Sequence, residues 1–233
     1  MSGEKLATAL AGVDWNGNVA QFTKDSGVTS AVASANMRIA LWSKQFETVD
    51  HGNPALSFVR EMQTAGHHVA VLTALAMYKP AATAMRNMVE AALFYTFFRS
   101  HSVELCTLTR DTAYFLTKQD VIEYHKRHTP NFLSYQDKLG LISRLQTWYS
   151  AISGIIHGQV PGAWVDHASV KQIKHVAKTQ SLAVTNFVDA EDIVYRLFLC
   201  TVEPSQWDNF NFEAKKLLLK GLAGDVKALL KLN

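Results

Sequence analysis

The feature that most constrains this chain is an apolar stripe at helical spacing. Between positions 132 and 156, Leu141, Leu145, Trp148, Ile152 and Ile155 recur at steps of three and four. That is the period of one helix face turned to a core, so the segment predicts a single long helix. Residues 81–99 form the most apolar stretch and predict a central helix. Residues 29–49 are rich in Ala, Val and Met and predict another. From Pro54 to Tyr78, Leu56, Val59, Met62 and Gly66 run down one side of a further helix, which Pro80 ends or follows. A helix from Val103, a shorter one at 119–128, and three more near 169–182, 190–202 and 212–232 complete the reading, with Asp189 and Asp208 as caps or near-caps.

The expected fold class is all-α, a helical bundle occupying 29–233 as one domain. Residues 1–28 read differently. Val13-Asp14-Trp15-Asn16-Gly17-Asn18-Val19 carries an Asn-Gly turn signal between short apolar pieces, which predicts a small hairpin or an ordered arm. With 233 residues, 48% hydrophobic and 18% charged, the chain can bury a sizeable core and is not of disordered type. A net charge of +3 does not by itself demand a nucleic-acid partner. Cys106 and Cys200 are the only cysteines; they build no zinc site, fit a reducing cytoplasm and read as structural. Residues 1–20 lack a basic region followed by a long apolar run, so no signal peptide is expected, and 91–98 is too short to span a bilayer.

Two short motifs interrupt the apolar helices. Arg86-Asn87-Met88-Val89-Glu90 places Arg86 and Glu90 four apart, on one helix face continued by Leu93 and Phe97. Tyr149-Ser150-Ala151-Ile152-Ser153-Gly154-Ile155-Ile156-His157-Gly158 closes the long helix. There Tyr149, Ser153 and His157 trace one strip, His157 lies at the last turn, and Gly158 supplies a left-handed cap. A half-buried ion pair that fixes helix register explains Arg86 and Glu90 without any ligand. Carbonyl capping explains His157, and a hydroxyl bonded back to its own helix explains Ser153.

Taken together, Arg-x-x-x-Glu followed by Tyr-x-x-Ile-Ser-x-x-Ile-His-Gly resembles the HEPN-like all-helical bacterial domains, over about residues 80–158. The resemblance implies a metal-independent RNase, toxin or anti-phage effector, dimeric and cytoplasmic. In the active members an Arg-x4-to-6-His motif joins a phosphate-binding arginine to a histidine that helps activate a ribose 2′-OH. Carried onto this chain, His157 would be general base or acid, Arg86 the phosphate ligand, and Tyr149, Ser153 and Glu90 would complete the site. The chain departs from the pattern, because no arginine lies four to six positions before His157. The nearest in that helix, Arg144, is thirteen residues upstream, about 20 Å along a helix axis. The one literal match, Arg60 to His67, is of a kind that chance supplies.

Basic side chains suggest where nucleic acid, RNA or DNA, could lie. His167, Lys171, Lys174, His175 and Lys178 fall at steps of three and four and predict a cationic stripe on one helix. His125-Lys126-Arg127-His128 forms a second patch, and Lys215, Lys216, Lys220, Lys227 and Lys231 a third. Such runs are more often solvated faces. No Glu-x-x-His pair, phosphate loop, Rossmann glycine pattern or Gly-x-Ser-x-Gly elbow occurs, so neither metal nor cofactor is expected. Two function classes follow: a nucleic-acid-directed effector, and a non-catalytic helical subunit that uses the same motifs for structure. A homodimer or a larger complex, without a membrane, suits both. Convergence of Arg86, Glu90 and His157 on an open cleft favours the first; Glu90 sealed against Arg86 in the core favours the second.

Overall fold

The computed structural model describes residues 2–164 and 167–232. In chain order the helices are α1 (Gly3–Ala11), α2 (Trp15–Lys24), α3 (Ser26–Val49), α4 (Leu56–Ala74), α5 (Tyr78–Phe98), α6 (Ser102–Arg110) and α7 (Lys118–His128). They continue as α8 (Phe132–Leu139), α9 (Leu141–Ile156), α10 (Ala177–Thr201), α11 (Pro204–Asp208), α12 (Phe212–Leu218) and α13 (Gly224–Leu230). Among the described residues there is no strand, so the architecture is an all-α bundle.

The expected hairpin is replaced by α1 and α2. The reason is Asp14, whose carboxylate accepts from the Gly17 backbone N–H at 2.8 Å and caps α2. Asn16-Gly17 therefore lies in a first helical turn and not at the tip of a hairpin. The single long helix expected over 132–156 is two, α8 and α9, parted at Gly140, which adopts a left-handed backbone (φ 65°). The helix expected to reach Tyr78 stops at Ala74; Ala76 turns left-handed (φ 59°) and Tyr78 opens α5. The helices expected at 169–182 and 190–202 become a short 3-10 turn, Val170–Gln172, an extended link, and one 25-residue helix, α10. The last helix, expected over 212–232, is α12 and α13, with Gly221 left-handed (φ 87°) between them.

Helix α5 is the axis of the bundle, packed by α4, α10, α9, α7 and α6, while α3 lies against α4 and α10. Pro80 stands in its first turn, where a missing N–H breaks no helical bond. Its Met85, Met88 and Phe98 are fully buried, each stabilising the fold by about 1.5–3 kcal/mol through removal from water. Trp42 and Phe46 of α3, Tyr95 of α5 and Phe198 of α10 join Trp207 and Phe210 in one aromatic cluster. Above it Asp50 accepts from the Tyr95 hydroxyl at 2.6 Å and from Arg99 Nε at 3.2 Å, tying the ends of α3 and α5 together. These anchors turn one strip of α5 away from the core, where Thr83 and Asn87 are exposed and Lys79, Arg86 and Glu90 half-buried. No helix among the described residues is long and apolar enough to cross a membrane.

Candidate functional site

The motif side chains from α5 and α9 meet. Arg86 Nε donates to Glu90 Oε1 at 3.0 Å, one turn on, as the four-residue spacing requires. Arg86 Nη1 stands 3.1 Å from His157 Nε2 across the two helices. An arginine can only donate, so a hydrogen bond here needs a lone pair on Nε2 and the imidazole proton on Nδ1. The Tyr149 hydroxyl donates to Glu90 Oε1. The Arg86 guanidinium also lies over the Tyr149 ring, 4.7 Å from its centre, a cation–π geometry.

α9 holds its two residues for local reasons. Trp148, next to Tyr149, is anchored by its indole N–H to the Asn186 carbonyl of α10 at 3.0 Å. At the C-terminus, His157 N–H reaches the Ser153 carbonyl at 2.9 Å and Gln159 N–H reaches that of Gly154 at 2.9 Å. Gly158 between them takes the left-handed conformation (φ 70°) that only glycine adopts without strain. His157 is thereby left exposed at the helix end, facing α5.

Electrostatics follow from this packing. Partial burial works against charge on Arg86, but the hydrogen bond and charge of Glu90 outweigh it and hold the guanidinium above its ordinary value. Burial, then the hydrogen bond to Glu90, pushes the Tyr149 phenol up to about 12, so at neutral pH it is a donor. Arg86 and Glu90 keep 25% and 28% of their side-chain surface. The cluster is thus open, not sealed, and one wall of it belongs to a cavity of about 470 Å³ lined by Arg86, Glu90, Phe94, Leu116, Lys118 and Tyr149.

Sequence reasoning missed Lys118. Its ammonium stands 4.8 Å from the centre of the Tyr149 ring, as Arg86 does at 4.7 Å. A signal existed: Thr117-Lys118-Gln119-Asp120 is a capping box, realised at the start of α7, which fixes Lys118 at the first helical position. Ser153 does not join the cluster. Its hydroxyl is buried and makes no hydrogen bond, so it neither positions His157 nor bonds back to its helix.

The other candidates fare unevenly. Arg60 of α4 pairs with Glu47 of α3 at 3.1 Å, and His67 is exposed. The cationic stripe has no common helix: Lys171 lies in the 3-10 turn, Lys174 and His175 in the extended link, and Lys178 in the first turn of α10. Lys171, Lys174 and Lys178 are exposed, whereas His175 is half-buried, with its backbone N–H on Asn18 Oδ1 at 2.8 Å. His125 drops out of the second patch because it is buried, its two ring nitrogens 2.7 Å from Thr129 Oγ1 and 2.9 Å from Thr96 Oγ1. Cys200 is buried as a structural residue would be; Cys106 is exposed. Among the described residues no three His, Cys, Asp or Glu side chains gather as a metal ion needs.

Compared with known protein families, with curated proteins and with solved structures, the chain matches none.

Proposed function

We propose that the protein is a nucleic-acid-directed effector that cleaves RNA without a metal ion, in the bacterial defence or toxin setting that the HEPN-like motifs imply. The observation that carries this reading is the 3.1 Å contact between Arg86 Nη1 and His157 Nε2. The Arg–His pair missing from α9 is supplied by the neighbouring helix. In the reaction, the guanidinium fork turns to the non-bridging phosphate oxygens, and His157 Nε2 takes the proton of the ribose 2′-OH. The 2′-oxygen bonds to phosphorus as the bond to the 5′-oxygen breaks, giving a 2′,3′-cyclic phosphate. The departing 5′-oxygen takes a proton from water in the open groove, and the imidazolium returns its own to solvent. Tyr149 and Glu90 hold Arg86 beside His157.

A second reading has its own support. Glu90 already satisfies both Arg86 and Tyr149, so the cluster can serve as a fastener between α5 and α9 in a non-catalytic subunit.

Mixed cellular RNA incubated in EDTA with wild type, His157→Ala and Arg86→Ala separates the two. Wild-type cleavage reduced by about a hundredfold or more in each variant, with Tm within a few degrees, is the expected result. Cleavage that survives His157→Ala removes the catalytic role. No cleavage by wild type selects the fastener.

A further inference from the structure

We infer that two pockets on the outward strip of α5, one on each side of the Arg86–His157 pair, take the two bases that flank the scissile phosphate of a single-stranded RNA. This rests on the RNA-cleaving reading and adds what that reading lacks, a basis for substrate form and sequence preference.

Lys79, Thr83, Arg86, Glu90 and Phe94 recur at steps of three and four along α5, so they share one face. From Lys79 to Phe94 that face is about 22 Å long, and Arg86 stands near its middle, about 10–12 Å from either end. Each end opens into a cavity. At the Phe94 end is the space of about 470 Å³ between α5, α9 and the start of α7, with Leu93, Phe94 and Leu116 as its apolar wall. At the Lys79 end is a space of about 510 Å³ lined by Met77, Thr83, Trp164 and Ile173, with Lys79 and His167 as its polar groups. Both are of ligand-binding size.

The second cavity adjoins the catalytic pair. A side chain on Gly158, the neighbour of His157, would have its first carbon 3.8 Å from Lys79 Nζ. Trp164 lines that cavity with a left-handed backbone (φ 57°), which bulky residues rarely adopt outside constrained sites.

Charge follows the same line. Among the described residues that line the two cavities, Lys79, Arg86 and Lys118 are met by one carboxylate, Glu90. Such a furrow suits successive phosphates, with apolar recesses between them for bases. It excludes a duplex: stacked bases repeat every 3.4 Å or so, and two bases drawn into recesses on opposite sides of Arg86 are neither stacked nor paired.

The test is fluorescence anisotropy with a 2′-O-methylated RNA hexanucleotide, which resists cleavage, and with two versions lacking one base on either side of the central phosphate. Wild type is expected to bind each abasic version about tenfold more weakly than the intact strand. Thr83→Trp, which fills the Lys79-end cavity from an exposed position, should lose about tenfold on the intact strand. It should also become indifferent to one of the two missing bases. Lys79→Ala, with no bulk added, should weaken all three strands about equally. If abasic strands bind wild type as the intact one does, and Thr83→Trp binds like wild type while Arg86→Ala does not, the pockets take no bases and the Arg86 reading stands. If wild type binds none of the strands, both fall.

Discussion

Two arginine–glutamate pairs in this protein share their chemistry and differ in what they can do. Arg38 of α3 and Glu191 of α10 lie 153 residues apart and form a two-pronged pair, Nε to Oε1 at 2.6 Å and Nη2 to Oε2. Glu191 keeps 2% of its side-chain surface and Arg38 a third. The guanidinium also covers the Tyr195 ring at 4.5 Å. Burial opposes the Arg38 charge, but the hydrogen bond and charge of Glu191 more than restore it. Arg86 and Glu90 make one bond within a single helix, and the guanidinium keeps an edge for His157 and for the groove. The first pair spends both its prongs on holding two helices in register; the second leaves donors over for a ligand. The difference lies in where each pair sits and how many prongs it uses.

Breaking the two-pronged pair, whose glutamate is buried, is expected to have the largest effect on stability. Glu191→Ala leaves a charge facing the core without its partner, which costs about 3–5 kcal/mol for a fully buried pair. Because Arg38 is one-third exposed, the low end applies, and Tm should fall by about 10 °C. A fall of only two or three degrees in thermal melts would mean that Arg38 swings into water at little cost, and the two pairs would then differ in appearance alone.

The same contrast extends to two histidines and gives the next effect. His157 is exposed at the end of α9, while His125 is buried between Thr96 and Thr129 and stacked on Phe132. Burial, with smaller repulsion from His101 and Arg99, lowers its pKa to about 4. An unfolded histidine titrates near 6.5. Between those values the unfolded chain binds a proton that the folded chain refuses, so stability is lost as pH falls from about 6.5 to 4, by up to about 3 kcal/mol. Urea unfolding at pH 4.5, 5.5 and 6.5 checks this. His125→Gln should flatten the dependence, and an unchanged slope would place its origin elsewhere.

How far the sequence could be read depended on whether apolar periodicity or a single backbone angle decided the outcome. α5 and α9 were legible because their apolar residues recur at three and four over many turns. Their motifs could be assigned to faces for the same reason, and the structure does bring Arg86, Glu90, Tyr149 and His157 together. The break at Gly140 was not legible. Leu139, Leu141 and Leu145 carry the apolar pattern across it, and only the left-handed angle at the glycine parts the helices. The cationic stripe failed the opposite way, with helical spacing at 167–178 over a backbone that is mostly not helical. Periodicity in charged residues alone carries no packing energy to enforce a helix. Arg38 was beyond reach because its partner, Glu191, is 153 residues away and unmarked by any motif, and Lys118 was missed because the capping box that fixes it does not show that its helix meets Tyr149.

The smallest expected effect sharpens the comparison most. In Glu90→Gln the amide oxygen still accepts from Arg86 and from Tyr149, so the hydrogen-bond pattern survives while the charge is lost. An intrahelical pair at this exposure contributes only about 0.5 kcal/mol, and Tm should move by a degree or two. The groove, however, loses the carboxylate that stands beside Arg86 and Lys118. Affinity for single-stranded RNA should therefore rise several-fold at low salt. The slope of log affinity against log salt should steepen by up to about 0.7, the value for one more neutralised phosphate on a single strand. The two readouts move in opposite directions only if Arg86 is available to a ligand. Should Glu90→Gln instead lower the melting temperature as far as Glu191→Ala does and leave RNA affinity unchanged, Glu90 would be to Arg86 what Glu191 is to Arg38. The open cluster would then be a second fastener, differing from the first only in how much water reaches it.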